Sequence, residues 1–86
     1  MNSFDFERNL DYGKSVESMG DSYARKNDYK RAKIYYGDAV KYYDEAAEIA
    51  YNEKDLENFR RAKSMAKVAS TKEQDMINAI NNGKDL

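Results

Sequence analysis

The sequence predicts an all-α fold, an antiparallel three-helix bundle with a long central helix. Three segments repeat apolar residues at intervals of three and four, the spacing of amphipathic helices, and short polar turns separate them. The chain contains no proline and only four glycines, so few positions would interrupt a helix. Because both connections are short, neighbouring helices should run antiparallel. We expect one helical domain over residues 1–86, with helices at 5–26, 28–53 and 56–80 and a tail at 81–86.

The first expected helix carries an apolar stripe along its second half. The stripe consists of Val16, Met19, Gly20 and Tyr23. Nearer the N-terminus, Phe4, Phe6 and Leu10 lie outside the phase of that stripe. We therefore expect this helix either to bend near Gly13 or to begin there.

The central helix is apolar over about half of its circumference, which is wide for a surface helix. Its two adjacent stripes are Tyr29, Ala32, Tyr36, Ala39, Val40, Tyr43, Ala47 and Ala50, and then Tyr35, Tyr42, Ala46 and Ile49. Such a helix must contact neighbours on two sides, as the middle element of a bundle does. Asn27 or Asp28 can cap its first turn, and the polar run YNEKD at 51–55 ends it.

The repeated tyrosines of this helix have two interpretations. Alanine lets helix backbones approach closely, while a tyrosine ring fills the flanking space and keeps its hydroxyl at the hydrated rim. Tyr29, Tyr36 and Tyr43 lie at the centre of the apolar arc, where we expect core packing. Tyr35 and Tyr42 lie at its edge, where packing and partner binding are both open, because tyrosine gives interfaces a large contact area at low entropic cost.

The third expected helix begins after Asp55, a candidate N-cap. Its apolar positions at helical spacing are Phe59, Ala62, Ala66, Ala69, Met76, Ile77 and Ile80. Ser70 and Glu73 interrupt this stripe, so we expect looser packing there, and the run NNGK at 81–84 is a helix stop. The same helix carries a short basic stripe, Arg60, Lys63 and Lys67.

The composition argues against an enzyme. Histidine and cysteine are absent, which removes the commonest general base and metal ligand and the thiol nucleophile. Carboxylates at helical spacing, such as Asp44 with Glu48, are typical of a solvated face. The sequence contains no phosphate-binding glycine loop and no nucleophile motif. We expect no catalytic residue, no cofactor and no metal site.

Charge and hydropathy narrow the classes of partner. The formal net charge is −1, which argues against general nucleic-acid binding because such affinity requires a basic excess. The N-terminal stretch is charged, and no apolar run approaches the length of a membrane span. We expect a cytoplasmic protein that does not insert into a membrane and that binds another protein. RNA binding through the basic stripe is a less favoured alternative.

Two known families resemble parts of this sequence. One stretch matches the spacing of a tetratricopeptide repeat at Val16, Met19, Gly20, Tyr23, Tyr29, Ala32, Tyr36 and Ala39. No second repeat follows, and a single repeat cannot bury its own apolar face, so we do not expect a solenoid. The second resemblance is closer.

The central helix resembles the second helix of the microtubule-interacting-and-transport (MIT) domain. The matching positions are Tyr29, Ala32, Tyr36, Ala39, Val40, Tyr42, Tyr43 and Ala46. The triplet RAK at 61–63 is similar to one that the third helix of that family can carry. The resemblance implies a three-helix bundle whose partner, a peptide or helix, lies in a groove between neighbouring helices.

Two functional hypotheses follow. The first is a non-enzymatic interaction module in which Tyr35 and Tyr42 face the basic stripe Arg60, Lys63 and Lys67 across a groove, as a cradle for an acidic or amphipathic segment. The second is a stand-alone inhibitor or regulator of the phage or mobile-element type. It is suggested by a short chain that opens with methionine, and it would bind a host enzyme or ribonucleoprotein, either alone or as a homo-oligomer.

Overall fold

The computed structural model describes residues 3–84 and contains three α-helices and no strand within that range. Helix α1 spans Ser3–Arg25, α2 spans Tyr29–Asn52 and α3 spans Leu56–Asn81. Both α1 and α3 pack along α2, while their backbones rarely approach each other. The predicted three-helix bundle with a central α2 is confirmed, and the predicted helix ends are correct to within two residues. Residues 85–86 of the predicted tail lie outside the described residues.

Both connections between helices use the same local chemistry. Asn27 and Lys54 adopt left-handed backbone conformations, with φ of 61° and 60°, which turn the chain out of the preceding helix. The next residue is an aspartate in each case. Its carboxylate accepts a hydrogen bond from the backbone N–H three residues later, at 3.3 Å for Asp28 and 3.1 Å for Asp55. The predicted caps are therefore present, because each aspartate satisfies a free donor of the first helical turn.

Helix α1 is continuous through Gly13, so the expectation that it begins there is wrong. Phe6 and Leu10 are 1% and 0% exposed and belong to the common core. They differ in phase from the Val16 stripe because α1 faces α2 along one side and side chains of α3 along another. The apolar arc of this helix is therefore wider than a single stripe.

The core consists mainly of alanine, so the helices approach one another closely. The buried cluster comprises Phe6, Leu10, Ala39, Tyr43, Ala46, Ala47, Ala50, Ala62, Ala66 and Ala69. Tyr36 and Tyr43 are 3% and 0% exposed, which confirms their predicted place in the core. Tyr29 is only half-buried, because it lies in the first turn of α2 at the end of the bundle.

Two glycines of α1 determine how closely α1 approaches α2. A Cβ atom at Gly13 would overlap the ring of Tyr43, and one at Gly20 would lie 2.7 Å from the ring of Tyr36. Each ring therefore occupies the space that a side chain would take. The two glycines are seven residues apart and so are the two tyrosines, so the antiparallel helices bring them together as two matched pairs.

Candidate functional site

Charged groups from α1 and α3 meet at the two buried tyrosines of α2. The Tyr43 hydroxyl donates a hydrogen bond to Glu17 Oε1 at 2.6 Å, and the Tyr36 hydroxyl donates one to Asp21 Oδ1 at 2.5 Å. The Lys72 ammonium donates to Glu17 Oε2 at 2.7 Å and to Asp21 Oδ1 at 3.1 Å. We call these five residues the polar network. It joins all three helices.

The polar network changes the pKa values of its members. Burial raises the pKa of the Tyr36 and Tyr43 hydroxyls, and the carboxylates that accept their hydrogen bonds raise it further. Burial opposes the charged forms of Asp21 and Lys72, but hydrogen bonds and opposite charges outweigh it. The pKa of Asp21 is therefore lowered and that of Lys72 is raised. Each of these groups is already hydrogen-bonded to another member, so the polar network holds the three helices together.

The two edge tyrosines of α2 lie along its seam with α1. Tyr35 stacks on Tyr23 with ring centres 5.4 Å apart and ring planes within 2°. Tyr42 contacts Tyr12 with ring centres 5.5 Å apart, and both rings of this second pair are well exposed. These two predicted binding residues therefore pack against α1 and still present surface to solvent.

Two of the three residues of the basic stripe of α3, Lys63 and Lys67, lie along the opposite edge of α2. The stripe is Arg60, Lys63 and Lys67, all exposed. Lys63 forms an ion pair with Asp44 of α2 at 3.3 Å, and Lys67 lines the cavity beside that pair. Because Asp44 follows Tyr42 by two residues, their side chains point about 200° apart around α2. The structure thus does not place Tyr35 and Tyr42 across a groove from the stripe, and the binding role of these five residues stays a prediction.

A groove does run along the seam between α2 and α3. It consists of two adjoining cavities of about 400 and 220 Å³ that share Val40. The small residues of its lining are Gly37, Val40, Ala66 and Ser70. Its charged residues are the basic Lys33, Lys41, Lys63 and Lys67 and the acidic Asp38, Asp44 and Glu73. We call this feature the α2–α3 groove.

The lining of the α2–α3 groove carries four lysines and three carboxylates, an excess of one positive charge, although the whole chain has a net charge of −1. The Lys63–Asp44 pair is about half exposed on both sides, at 53% and 48%, so it holds the two groups together only weakly. Within residues 3–84, no ion pair engages Lys33, Lys41 or Lys67. The groove can therefore offer three lysines to an acidic ligand, beside two lining carboxylates, Asp38 and Glu73, that likewise form no ion pair among the described residues.

Some of these residues are not identifiable from the sequence alone. Lys33 and Lys41 lie on the polar arc of α2, and nothing in their spacing separates them from solvated lysines. The helical register brings Gly37 beside Glu73, whose Oε2 would lie 2.9 Å from a Cβ atom at position 37. The small residues of α2 and α3 indicate a groove only after the register of the two helices against each other is known. Lys72, the centre of the polar network, carries no local signal.

None of the three helices that the structure describes contains a segment long and apolar enough to cross a membrane. Among residues 3–84, no group of three or more acidic side chains is arranged to hold a metal ion.

Comparisons with protein-family models, with curated proteins and with solved structures returned no match for this chain. The resemblances to the MIT domain and to the tetratricopeptide repeat therefore stay predictions.

Proposed function

We propose that this protein is a cytoplasmic, non-enzymatic interaction module that binds an acidic, amphipathic segment of a partner protein in the α2–α3 groove. The observation that carries the proposal is the pair of adjoining cavities, whose lining combines small residues with four lysines against three carboxylates. The MIT-like pattern of α2 supports it, because the resemblance implies a partner held between helices.

The dimensions of the α2–α3 groove suit a short helical or extended segment. From Ile34 to Asp44 its α2 side advances ten residues, which is about 15 Å or roughly three helical turns. Ile34 is 58% exposed and Val40 is partly buried, so the groove offers an apolar surface at its end and at its centre. An amphipathic segment would bury its apolar face there and direct its carboxylates to Lys33, Lys41 and Lys67.

Two matched peptides test the proposal. Both are labelled amphipathic peptides of about 12 residues with leucine on one face. The opposite face carries glutamate in one peptide and lysine in the other. We expect the acidic peptide to bind more tightly in fluorescence anisotropy titrations. Lys67→Glu should weaken its binding about 5- to 10-fold, which corresponds to about 1–1.4 kcal/mol. Lys14→Glu, on exposed surface of α1, is the charge control and should bind like the wild type.

A second variant pair tests the position of the site by steric blocking. Ser70→Phe would fill the α2–α3 groove and should lower affinity at least 10-fold. Ser64→Phe places the same ring on another face of α3, beside Val68, and should have little effect. The proposal is wrong if both peptides bind equally, if neither binds, or if Ser64→Phe is as harmful as Ser70→Phe. The alternative of a regulator that docks on a folded enzyme through a broader surface would then be favoured.

A further inference from the structure

A second surface runs along the opposite edge of α2, on the outer seam between α1 and α2. Its members are Tyr12, Met19, Tyr23, Tyr35 and Tyr42, which we call the tyrosine face. Tyr12, Met19 and Tyr42 are 51%, 44% and 36% exposed. Met19 lies between the two tyrosine pairs, since it follows Tyr12 by two helical turns and precedes Tyr23 by one. Tyrosine and methionine are enriched in protein interfaces.

The charges beside the tyrosine face differ in sign between its two ends. At one end the Lys26 ammonium lies 5.8 Å from the centre of the Tyr23 ring. The neighbouring Arg31 forms an ion pair with Asp28 at 3.1 Å. At the other end Glu45 follows Tyr42 by one turn, and the nearby Arg8 forms an ion pair with Asp5 at 2.8 Å. Lys26 and Glu45 form no ion pair among the described residues, and neither does Asp38, which lies on α2 between Tyr35 and Tyr42.

These two charges are nearly equidistant from Met19. Gly20 packs on Tyr36, so Met19 lies level with Gly37 of the antiparallel α2. Lys26 is seven residues from Met19, about 10.5 Å along the axis, and Glu45 is eight residues from Gly37, about 12 Å in the opposite direction. A twofold axis that passes through Met19 in the plane of the interface, perpendicular to the helices, would therefore bring Lys26 of each copy to the same level as Glu45 of the other. The two side chains would approach each other across the seam between neighbouring helices.

We propose that the tyrosine face binds a second copy of this chain in an antiparallel, twofold-symmetric dimer. The two Met19 side chains lie at the axis. Each end of the interface then holds Lys26 of one copy and Glu45 of the other, so the dimer contains two pairs of opposite charges. Between the levels of Lys26 and Glu45 the buried surface would be about 22 Å long and two helices wide, on the order of 1,000 Å² in total. That area is at the lower limit for a specific interface, so the dimer should be weak.

This proposal does not depend on the α2–α3 groove, because the two surfaces lie on opposite edges of α2. Sedimentation equilibrium between 5 μM and 1 mM, concentrations chosen to bracket a weak dimer, should show a monomer–dimer equilibrium. Met19→Glu should raise the dimer Kd at least 10-fold. Val68→Glu, at an apolar position on α3 that is 53% exposed, should leave the Kd unchanged.

Charge reversal tests the antiparallel arrangement. Lys26→Glu and Glu45→Lys should each raise the dimer Kd about 10-fold, because each variant places like charges together at both ends. Mixing the two variants should restore association, since the mixed dimer has an opposite pair at each end. Glu48→Lys, an exposed position on the same helix, is the control and should behave like the wild type. The proposal is overturned if the wild type is monomeric at 1 mM, if mixing fails to restore association, or if Val68→Glu disrupts the dimer as strongly as Met19→Glu.

Discussion

Adjacent tyrosines of α2 have different roles because one residue rotates the side chain by about 100°. Tyr36 and Tyr43 point between α1 and α3, where their rings lie against glycines and their hydroxyls meet carboxylates. Tyr35 and Tyr42 each precede one of these residues and lie on the outer seam with α1. The rings of Tyr43 and Tyr36 therefore fit only because positions 13 and 20 are glycine and carry no side chain.

Alanine at position 13 should destabilise the protein although alanine favours helix formation. The new methyl group would overlap the Tyr43 ring, and relieving such overpacking costs about 1–3 kcal/mol, against a helix-propensity gain of at most about 1 kcal/mol. The net effect is the overpacking cost less that gain, so we expect Gly13→Ala to lower the free energy of unfolding, measured by urea denaturation, by up to about 2 kcal/mol.

Gly37→Ala is the matched control for this substitution. A Cβ atom there meets only the end of the Glu73 side chain, which can move away, so stability should be unchanged or up to about 1 kcal/mol higher. Equal losses at Gly13 and Gly37 would show that the tyrosine rings do not require glycine.

The fold was more accessible from the sequence than the site. The helix ends follow from local chemistry, since Asp28 and Asp55 cap the turns that precede α2 and α3. The apolar arc of α2 likewise predicts that Tyr36 and Tyr43 are buried. The same arc has two edges, and nothing in its spacing determines which edge meets α1 and which meets α3. For that reason the sequence does not show that Tyr42 and Lys63 lie on opposite sides of α2.

Helix α3 is packed unevenly along its length. Its buried residues are Ala62, Ala66 and Ala69, and none of the described residues after Ala69 is fully buried. This pattern agrees with the predicted interruption at Ser70 and Glu73. Since burial is the main source of local stability, the second half of α3 should open more readily than the first.

Hydrogen exchange should detect this difference within one helix. We expect the amides of residues 73–77 to exchange at least tenfold faster than those of residues 62–69, although 73–77 precede the final turn of α3. Residues 32–39 of α2 lie at the same end of the bundle and include the buried Ala32, Tyr36 and Ala39, so they should stay protected. Uniform protection along α3 would contradict the inference from burial.

At the scale of the whole molecule, the polar network compensates for sparse backbone contact between α1 and α3. Lys72 of α3 binds Glu17 and Asp21 of α1, and the same two carboxylates accept hydrogen bonds from α2. Hydrogen bonds to charged groups contribute about 1.5–3 kcal/mol each when they are partly buried. The polar network therefore links the stability of the entire bundle to the protonation of Asp21, Lys72 and the two tyrosine hydroxyls, the members whose pKa values differ from their ordinary values.

Stability should fall as the pH rises above about 10. The folded state raises the pKa of Tyr36, Tyr43 and Lys72 and so retains protons that the unfolded chain releases near pH 10. Deprotonation then favours the unfolded state, by at most about 1.4 kcal/mol per pH unit for each group. Urea denaturation at intervals between pH 8 and pH 12 measures the decline.

Replacing the tyrosines separates the network from general alkaline denaturation. Tyr36→Phe and Tyr43→Phe remove one titrating group and one hydrogen bond each, so each variant should be less stable than the wild type at pH 8 and should lose stability less steeply above pH 10. Tyr51→Phe changes a ring that is 62% exposed and should keep the wild-type slope. All of these proteins should also lose stability below about pH 4. There the carboxylate of Asp21, whose pKa is lowered in the fold, takes up a proton more readily in the unfolded chain than in the folded one. A slope above pH 10 that none of the tyrosine substitutions alters would mean that the buried hydroxyls do not couple the three helices to pH.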